Sequence, residues 1–410
     1  MKIIHCSDIH LGVERGPIDQ TTHIPTRILD YLDSLDVVID FAEEEHVDAF
    51  LIAGDVFHTS SPSPMLLSAF ASRVKRISKT CPVVILVGNH DTPGPLYRKN
   101  AIDVFGELDI SNIYVGDSFE TLTLDTKSGA LQVTTFPYPT RQLLGGVSKE
   151  EYPKKIFETL NYVRTTIKDL TVPAVFLGHF TVSGSKYGSE RPMILDKEAE
   201  VELFDLLGWM PGDSYDIETV WDYIALGHIH HHQAVLDEPP VVYAGSLDRV
   251  DFGEENDDKG FVLVTIDKTL IEKGIYQKET SWEFVSIDPR PMMTVRIDAR
   301  NKKRPRRYVF DEISKIDLSD SIARAIINVD SETVISNNEV IEAMYEAGAH
   351  WVKGATVSAP IEYTSRLELD NPLATYSTLE LLEAYFDTDE YNDDEYEALL
   401  DLAEDIMSEE

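Results

Sequence analysis

Ala49-Phe50-Leu51-Ile52-Ala53-Gly54-Asp55 is an unbroken apolar run that ends on a glycine and a carboxylate. Such a run, without polar alternation, reads as a strand buried on both faces, as in layered α and β structure. Gly54 permits a sharp turn that exposes Asp55 just past the strand. The same pattern recurs on either side, and Lys2 to His5, Val83 to Val87, Leu131 to Phe136, Ala174 to Gly178, Tyr223 to Gly227 and Phe261 to Ile266 also read as strands. Between the first two strands, Ile28, Leu29, Leu32, Leu35, Val38, Ile39 and Ala42 recur at helical spacing, which predicts a crossover helix packed on a sheet.

The polar residues of interest come immediately after these strands, where an α/β sheet carries its ligand-binding loops. Five short motifs occur in order: Asp8-Ile9-His10, Gly54-Asp55, Gly88-Asn89-His90-Asp91, Gly178-His179 and Gly227-His228-Ile229-His230. Asp8 and His10 are two apart in a strand-end loop, so both side chains can turn toward one ion. Asp55 has two carboxylate oxygens and can bridge two. Asn89 offers an amide oxygen, and His179, His228 and His230 offer imidazole nitrogens. Each motif alone is weak, because a lone Gly-His is more often a satisfied core histidine. All five in order, each after an apolar run, predict a dinuclear site. An oxygen and nitrogen set without thiolates suits Mn2+ and also admits Fe, Zn or Mg. His231 and His232 are expected on a solvated loop beyond the site.

The chain of 410 residues is long enough for two or three domains, and 43% hydrophobic with 27% charged residues is a soluble globular composition. It contains no apolar run of about 18 residues to cross a bilayer. The start, MKIIHCSD, lacks the features of a signal peptide, so a cytoplasmic protein is expected. The two cysteines, Cys6 and Cys81, lie in or beside apolar strands and read as core residues. The net charge of -37 would repel a polyanion such as nucleic acid. Residues 371 to 410 hold 14 Asp or Glu and no Lys or Arg, leaving -23 on the rest. Against that trend, Arg300, Lys302, Lys303, Arg304, Arg306 and Arg307 form a basic cluster that reads either as a DNA-phosphate contact or as a solvated face.

The pattern breaks at Asp288 to Pro291, DPRP, and a segment of mixed strand and helix character follows. The expected division is 1–287, 288–366 and 371–410. In the last piece Leu379, Leu382, Tyr385 and Phe386 make one amphipathic pattern, and Tyr396, Leu399, Leu400, Ala403, Ile406 and Met407 make another. Gly184 to Pro192 reads as a surface loop, or as a mobile loop near the site.

These motifs resemble the calcineurin-like metallophosphoesterase superfamily. Within it, the chain is similar to the SbcD nucleases, prokaryotic relatives of the Mre-type double-strand-break repair nuclease. Beyond the metal motifs, SDIHLG at Ser7 to Gly12, LIAGDVFH at Leu51 to His58, VGNHD at Val87 to Asp91 and GSLDRVDFGEENDDKGF at Gly245 to Phe261 carry the likeness. The last stretch is expected to have no metal-binding role and so separates SbcD-like chains from other phosphoesterases. The likeness covers residues 1 to about 270 strongly and the remainder in layout only.

The resemblance implies a four-layer α/β fold, a β-sandwich flanked by helices, with a small α+β capping domain and a C-terminal helical tail that binds a partner. It implies that Asp8, His10, Asp55 and His230 hold one metal, and Asp55, Asn89, His179 and His228 the other. His90 matches the catalytic histidine and His58 a second histidine that positions the phosphate or DNA end. Asp91 is a candidate for orienting the His90 ring, with loop capping as the alternative. The implied protein is a Mn2+-dependent DNA exonuclease and endonuclease, a homodimer within a heterotetramer with an SbcC-like coiled-coil ATPase, associated with the nucleoid. Two rivals stay open: a phosphodiesterase for small molecules or cyclic nucleotides, and a non-catalytic DNA-end-binding subunit with structural metals.

Overall fold

The computed structural model describes residues 1–13, 16–92, 99–108, 110–188, 200–208, 219–272 and 275–359, together with Leu382, Tyr396, Ala398, Leu399, Leu400 and Leu402. Strand β1 (Lys2–Cys6) leads through α1 (Thr26–Glu44) to β2 (Ala49–Ile52), and α2 (Pro64–Ile77), β3 (Val83–Leu86), α3 (Asp103–Glu107) and β4 (Ile113–Gly116) continue the alternation. The hairpin β5 (Glu120–Thr126) and β6 (Gly129–Phe136) opens a second series. It runs through α4 (Tyr152–Arg164), β7 (Ala174–His179), the short β8 (Thr181–Val182) and β9 (Glu200–Val201), α5 (Leu203–Leu207), β10 (Tyr223–Gly227), β11 (Gln233–Leu236) and β12 (Val241–Tyr243). A long hairpin, β13 (Lys259–Glu272) and β14 (Ile275–Ile287), precedes β15 (Met292–Asp298), α6 (Pro305–Ile313), β16 (Ile322–Asn328), α7 (Asn337–Glu346) and β17 (Trp351–Ser358).

Two six-stranded sheets result, ordered β14-β13-β1-β2-β3-β4 and β11-β12-β10-β7-β6-β5. Ile3, Leu51, Val84 and Leu86 of the first sheet pack on Val133, Val175, Leu177 and Ala225 of the second, forming a dry layer between them. The outer face of the first sheet is covered by α1 and α2, and that of the second by α4 and α5. Four layers follow because β1, β2, β3, β7 and β10 are apolar on both faces and each face needs a cover. No helix among the described residues is long and apolar enough to cross a membrane.

Helix α1 buries the expected stripe, except that Leu29 is only half-buried and Arg27 is buried in full. The Arg27 guanidinium meets Asp248 at 2.9 Å, its partner 0% exposed, and Asp30 at 3.3 Å. Ser34 Oγ also donates to Asp248, at 3.2 Å. Asp248 thereby fixes the Gly245 to Phe261 stretch to the helix layer. Among the described residues, β15, β16 and β17 form a separate three-stranded parallel sheet with its own apolar core against α6 and α7. A capping box between Ser336 and Glu339 starts α7. Of the tail, only the six residues named above are described, each helical; the rest of the expected amphipathic pair lies outside the described residues.

Removing one partner of a buried ion pair strands the other charge. Asp248→Ala should therefore lower the unfolding free energy by about 3 kcal/mol, read from urea denaturation. A loss within about 0.5 kcal/mol, as at ordinary surface positions, would show that the pair does not hold this stretch.

Candidate metal centre

The five motifs lie at the C-terminal ends of β1, β2, β3, β7 and β10, three neighbouring strands of one sheet and two of the other. The loops after β1 and β2 are bonded together: Asp8 N donates to Gly54 O at 3.1 Å, His10 N to Asp55 O at 3.0 Å and Leu11 N to Val56 O at 2.9 Å. Asp8, His10, Asp55 and His228 all adopt left-handed backbone, with φ of 50°, 49°, 51° and 94°. That conformation is costly for residues with a Cβ and persists where the surroundings enforce it. Gly88 and Gly227 allow close approaches, since a Cβ there would lie 2.1 Å from Asp55 Oδ1 and 2.0 Å from the Ala53 carbonyl oxygen, respectively.

Among the described residues His10, His58 and His90 form one group of donor atoms, and two further clusters are Asp8, His10 and His230, and Asp55, His179 and His228, the donors of each within 4.8 Å of one another. Asp55 links them, its Oδ2 lying 3.7 Å from His10 Nε2 and 3.4 Å from His179 Nε2. Asn89 Oδ1 sits 3.0 Å from His179 Nε2 and 2.9 Å from His228 Nδ1, completing the second cluster. All seven expected ligand residues therefore come together. His10 Nε2 and His230 Nε2 face each other at 3.0 Å, while His230 Nδ1 is engaged by Glu254 Oε1 at 2.8 Å. A proton on that Nδ1 leaves a lone pair on Nε2 pointing into the cluster. Converging lone pairs and carboxylates in a buried site fit divalent cations.

The electrostatics favour ligation by His10 and His228, whereas His179 must give up a proton to bind a cation. Burial holds His10 well below the ordinary imidazole range and His228 down to about 3, which leaves both neutral and able to ligate. For His179 burial acts the same way, but the Asp55 carboxylate outweighs it and raises the group to about 9. Burial would also raise Asp55; the charge and hydrogen bond of His179 more than offset it and hold the carboxyl low.

His90 and His58 flank the first cluster. The His90 amide donates to Asp55 Oδ1 at 2.8 Å, its ring Nδ1 lies 2.9 Å from the carbonyl oxygen of His58, and the two rings stack at 5.6 Å. His58 Nδ1 approaches His10 Nδ1 at 3.4 Å. Asp91 does not orient the His90 ring. Its buried carboxylate accepts from the amides of Val56, Phe57 and Gly88 at 3.2, 3.1 and 3.1 Å, so it ties the loops after β2 and β3 together. The ring of His90 is held by a backbone carbonyl instead.

Sequence reasoning missed Glu254. The Gly245 to Phe261 stretch, expected to stand apart from the metals, supplies this fully buried carboxylate, which faces His230 and pairs with buried Lys259 at 2.7 Å. Its signal was the GEEN segment inside a stretch already singled out. Tyr138, whose ring lies 5.8 Å from that of His228, also went unread. His231 and His232 are both half-buried, the first near Asp257 at 3.3 Å and the second stacked on Phe284 at 4.0 Å. Residues 189–192 of the Gly184 to Pro192 loop lie outside the described residues. In the basic run, Arg300, Arg306 and Arg307 pair with Asp298, Glu339 and Asp311.

The model of the family described as calcineurin-like phosphoesterase matches residues 1–232. A curated relative, the SbcD subunit of the SbcCD nuclease of Staphylococcus epidermidis, is 24% identical over 331 residues, covering 77% of this chain and 80% of that one. Among solved structures, a dimetal phosphatase from Danio rerio is similar with a TM-score of 0.36 and 10% identity, over 64% of this chain and 92% of that one. A hypothetical protein from Thermus thermophilus gives a TM-score of 0.33 and 10% identity, over 69% of this chain and 100% of that one. Since the family match spans more than half the chain and runs just past His230, taking in every strand end that carries a ligand cluster, the chain belongs to the calcineurin-like phosphoesterases, enzymes that work with two divalent metals.

Proposed function

We propose that this protein is the nuclease subunit of an SbcCD-type complex and hydrolyses DNA phosphodiesters at double-strand ends and hairpins. The observation that carries the phosphodiester chemistry is the reach of Asp55 into both donor clusters, which suits one carboxylate shared by two ions. The similarity to the SbcD subunit of an SbcCD nuclease supports DNA as substrate and a coiled-coil ATPase as partner. In this reading residues 288–366 cap the site and the 371–410 tail docks on the partner. The assembly is a homodimer within a heterotetramer, in the cytoplasm beside the nucleoid.

Asp8, His10, Asp55 and His230 would hold one ion, and Asp55, Asn89, His179 and His228 the other. The all-oxygen-and-nitrogen set suits Mn2+. When bound, such a pair supplies Lewis acidity to the phosphodiester and a hydroxide-like water near neutral pH. The chain's own residues do the rest. A proton on His90 Nδ1, donated to the His58 carbonyl oxygen, fixes the ring so that Nε2 of the imidazolium delivers a proton to the departing sugar oxygen. His58, stacked beside it, steadies the phosphate on the same side. Asp91 keeps the loop carrying Asn89 and His90 against the loop carrying Asp55.

His90→Ala should reduce Mn2+-dependent cleavage of linear duplex DNA by at least about 100-fold while calorimetry still counts two ions. Cutting at the parental rate would remove His90 from the mechanism. Faster turnover of a cyclic dinucleotide or a simple monoester than of duplex DNA would replace the nuclease reading with a small-molecule one. Gly88→Ala thrusts a methyl group onto Asp55 and should drop the bound Mn2+ below two per chain with the circular dichroism spectrum retained. Two tightly bound ions in that variant would contradict the bridging role of Asp55.

A further inference from the structure

The turn around Phe252 to Glu254 touches two separate parts of the fold. Glu254 points into the metal centre, with Oε1 2.8 Å from His230 Nδ1. Its Oε2 is held by Lys259 Nζ at 2.7 Å, Ser246 Oγ at 2.9 Å and the amide of Val250 at 3.0 Å, so the carboxylate has little freedom to reorient. The neighbouring contacts go the other way, to the sheet of β15, β16 and β17. The Phe252 ring packs with Met292, Ile322 and Trp351, under the Arg324 guanidinium at 4.4 Å and the Lys353 ammonium at 5.2 Å. Glu255 accepts from Thr294 Oγ1 and, at 3.1 Å, from Arg296.

We propose that Glu254 is a positioning residue for His230. By gripping Phe252 and Glu255, the three-stranded sheet sets how strongly the Asp8, His10, Asp55 and His230 cluster holds its cation. An imidazole ligand needs its far nitrogen fixed, because that bond sets both the tautomer and the direction of the ligating lone pair. A structural ion pair with Lys259 would occupy one oxygen of Glu254, yet the other is committed to the ring. Phe252 and Glu255 lie within two residues of that carboxylate, so displacement of the small sheet is delivered to His230 through a short, packed segment. The inference rests on the reading of His230 as a metal ligand.

Titration of the metal-free protein with Mn2+ by calorimetry tests both points without relying on turnover. The unsubstituted protein should bind two ions; binding of fewer would defeat the ligand reading itself, and this inference with it. Glu254→Ala should weaken one binding step by about 10- to 100-fold and leave the other within about twofold. The double variant Glu254→Gln with Lys259→Met keeps an acceptor facing the ring, leaves no unpaired buried ammonium, and should recover most of the lost affinity. Thr294→Ala with Arg296→Ala, made on the small sheet, should weaken the same step several-fold with the unfolding midpoint nearly unchanged. Equal loss at both steps in Glu254→Ala, or no loss at either, would overturn the positioning role. Unchanged binding in the Thr294 and Arg296 variant would overturn the part given to the sheet.

Discussion

The carboxylate of Asp55, 1% exposed, is the constraint from which the rest of the centre follows. A charge removed from water is tolerated only when other groups replace its hydration. Here those groups are the rings of His10 and His179 and the amide of His90. Each must arrive from a different strand end, and their convergence forces the local backbone. The loops after β1 and β2 bond edge to edge, Asp8, His10 and Asp55 take left-handed conformations, and position 88 has no room for a side chain. Asp91 belongs to the same demand. By gathering three amides from two loops, it holds the Asn89-His90 segment where Asp55 needs an amide donor.

How much of this was legible in the sequence follows from what each residue does. Strands buried on both faces announce themselves as apolar runs, and all seven expected strands form; the four-layer packing was implied by the family resemblance. The hairpin partners β5 and β14 were not legible, because β5 buries only Leu124 fully and β14 is polar along most of its length. The ligand residues were readable for a related reason: a His or Asp just after an apolar run has little purely local explanation. Glu254 and Asp248 escaped because their meaning is nonlocal. The acidic GEEN segment does not report a histidine 24 positions away, and nothing near Arg27 reports an aspartate 221 positions on.

The acidity of the chain is compatible with a phosphodiester substrate once charges are placed. At physiological ionic strength, exposed charges act over about 8 Å, so a net charge of -37 does not by itself describe the field at the centre. Of the acids near the ligands, Glu254 is balanced by Lys259, and two divalent ions would outweigh the carboxylates of Asp8 and Asp55. The basic run of residues 300–307, by contrast, carries less free charge than its composition suggests, since three of its arginines are paired with acids close by. Two divalent ions at the centre would therefore weigh more in the local field than this run does.

Each donor cluster draws on both sheets. Asp8, His10, Asp55 and Asn89 follow strands of the first, and His179, His228 and His230 end or follow strands of the second. A cation in either cluster would consequently crosslink one end of the sandwich. The apolar layer between the sheets aligns the strand ends, and that packing supports four candidate ligand residues in left-handed backbone. The coupling also runs in reverse. Ion binding at about 100 times the dissociation constant adds about 2.7 kcal/mol to the folded state. Any contact that shifts one sheet's strand ends relative to the other draws on the same free energy, which is why a turn clamped from outside the sandwich, as at Phe252 and Glu255, is in a position to affect the metals within it.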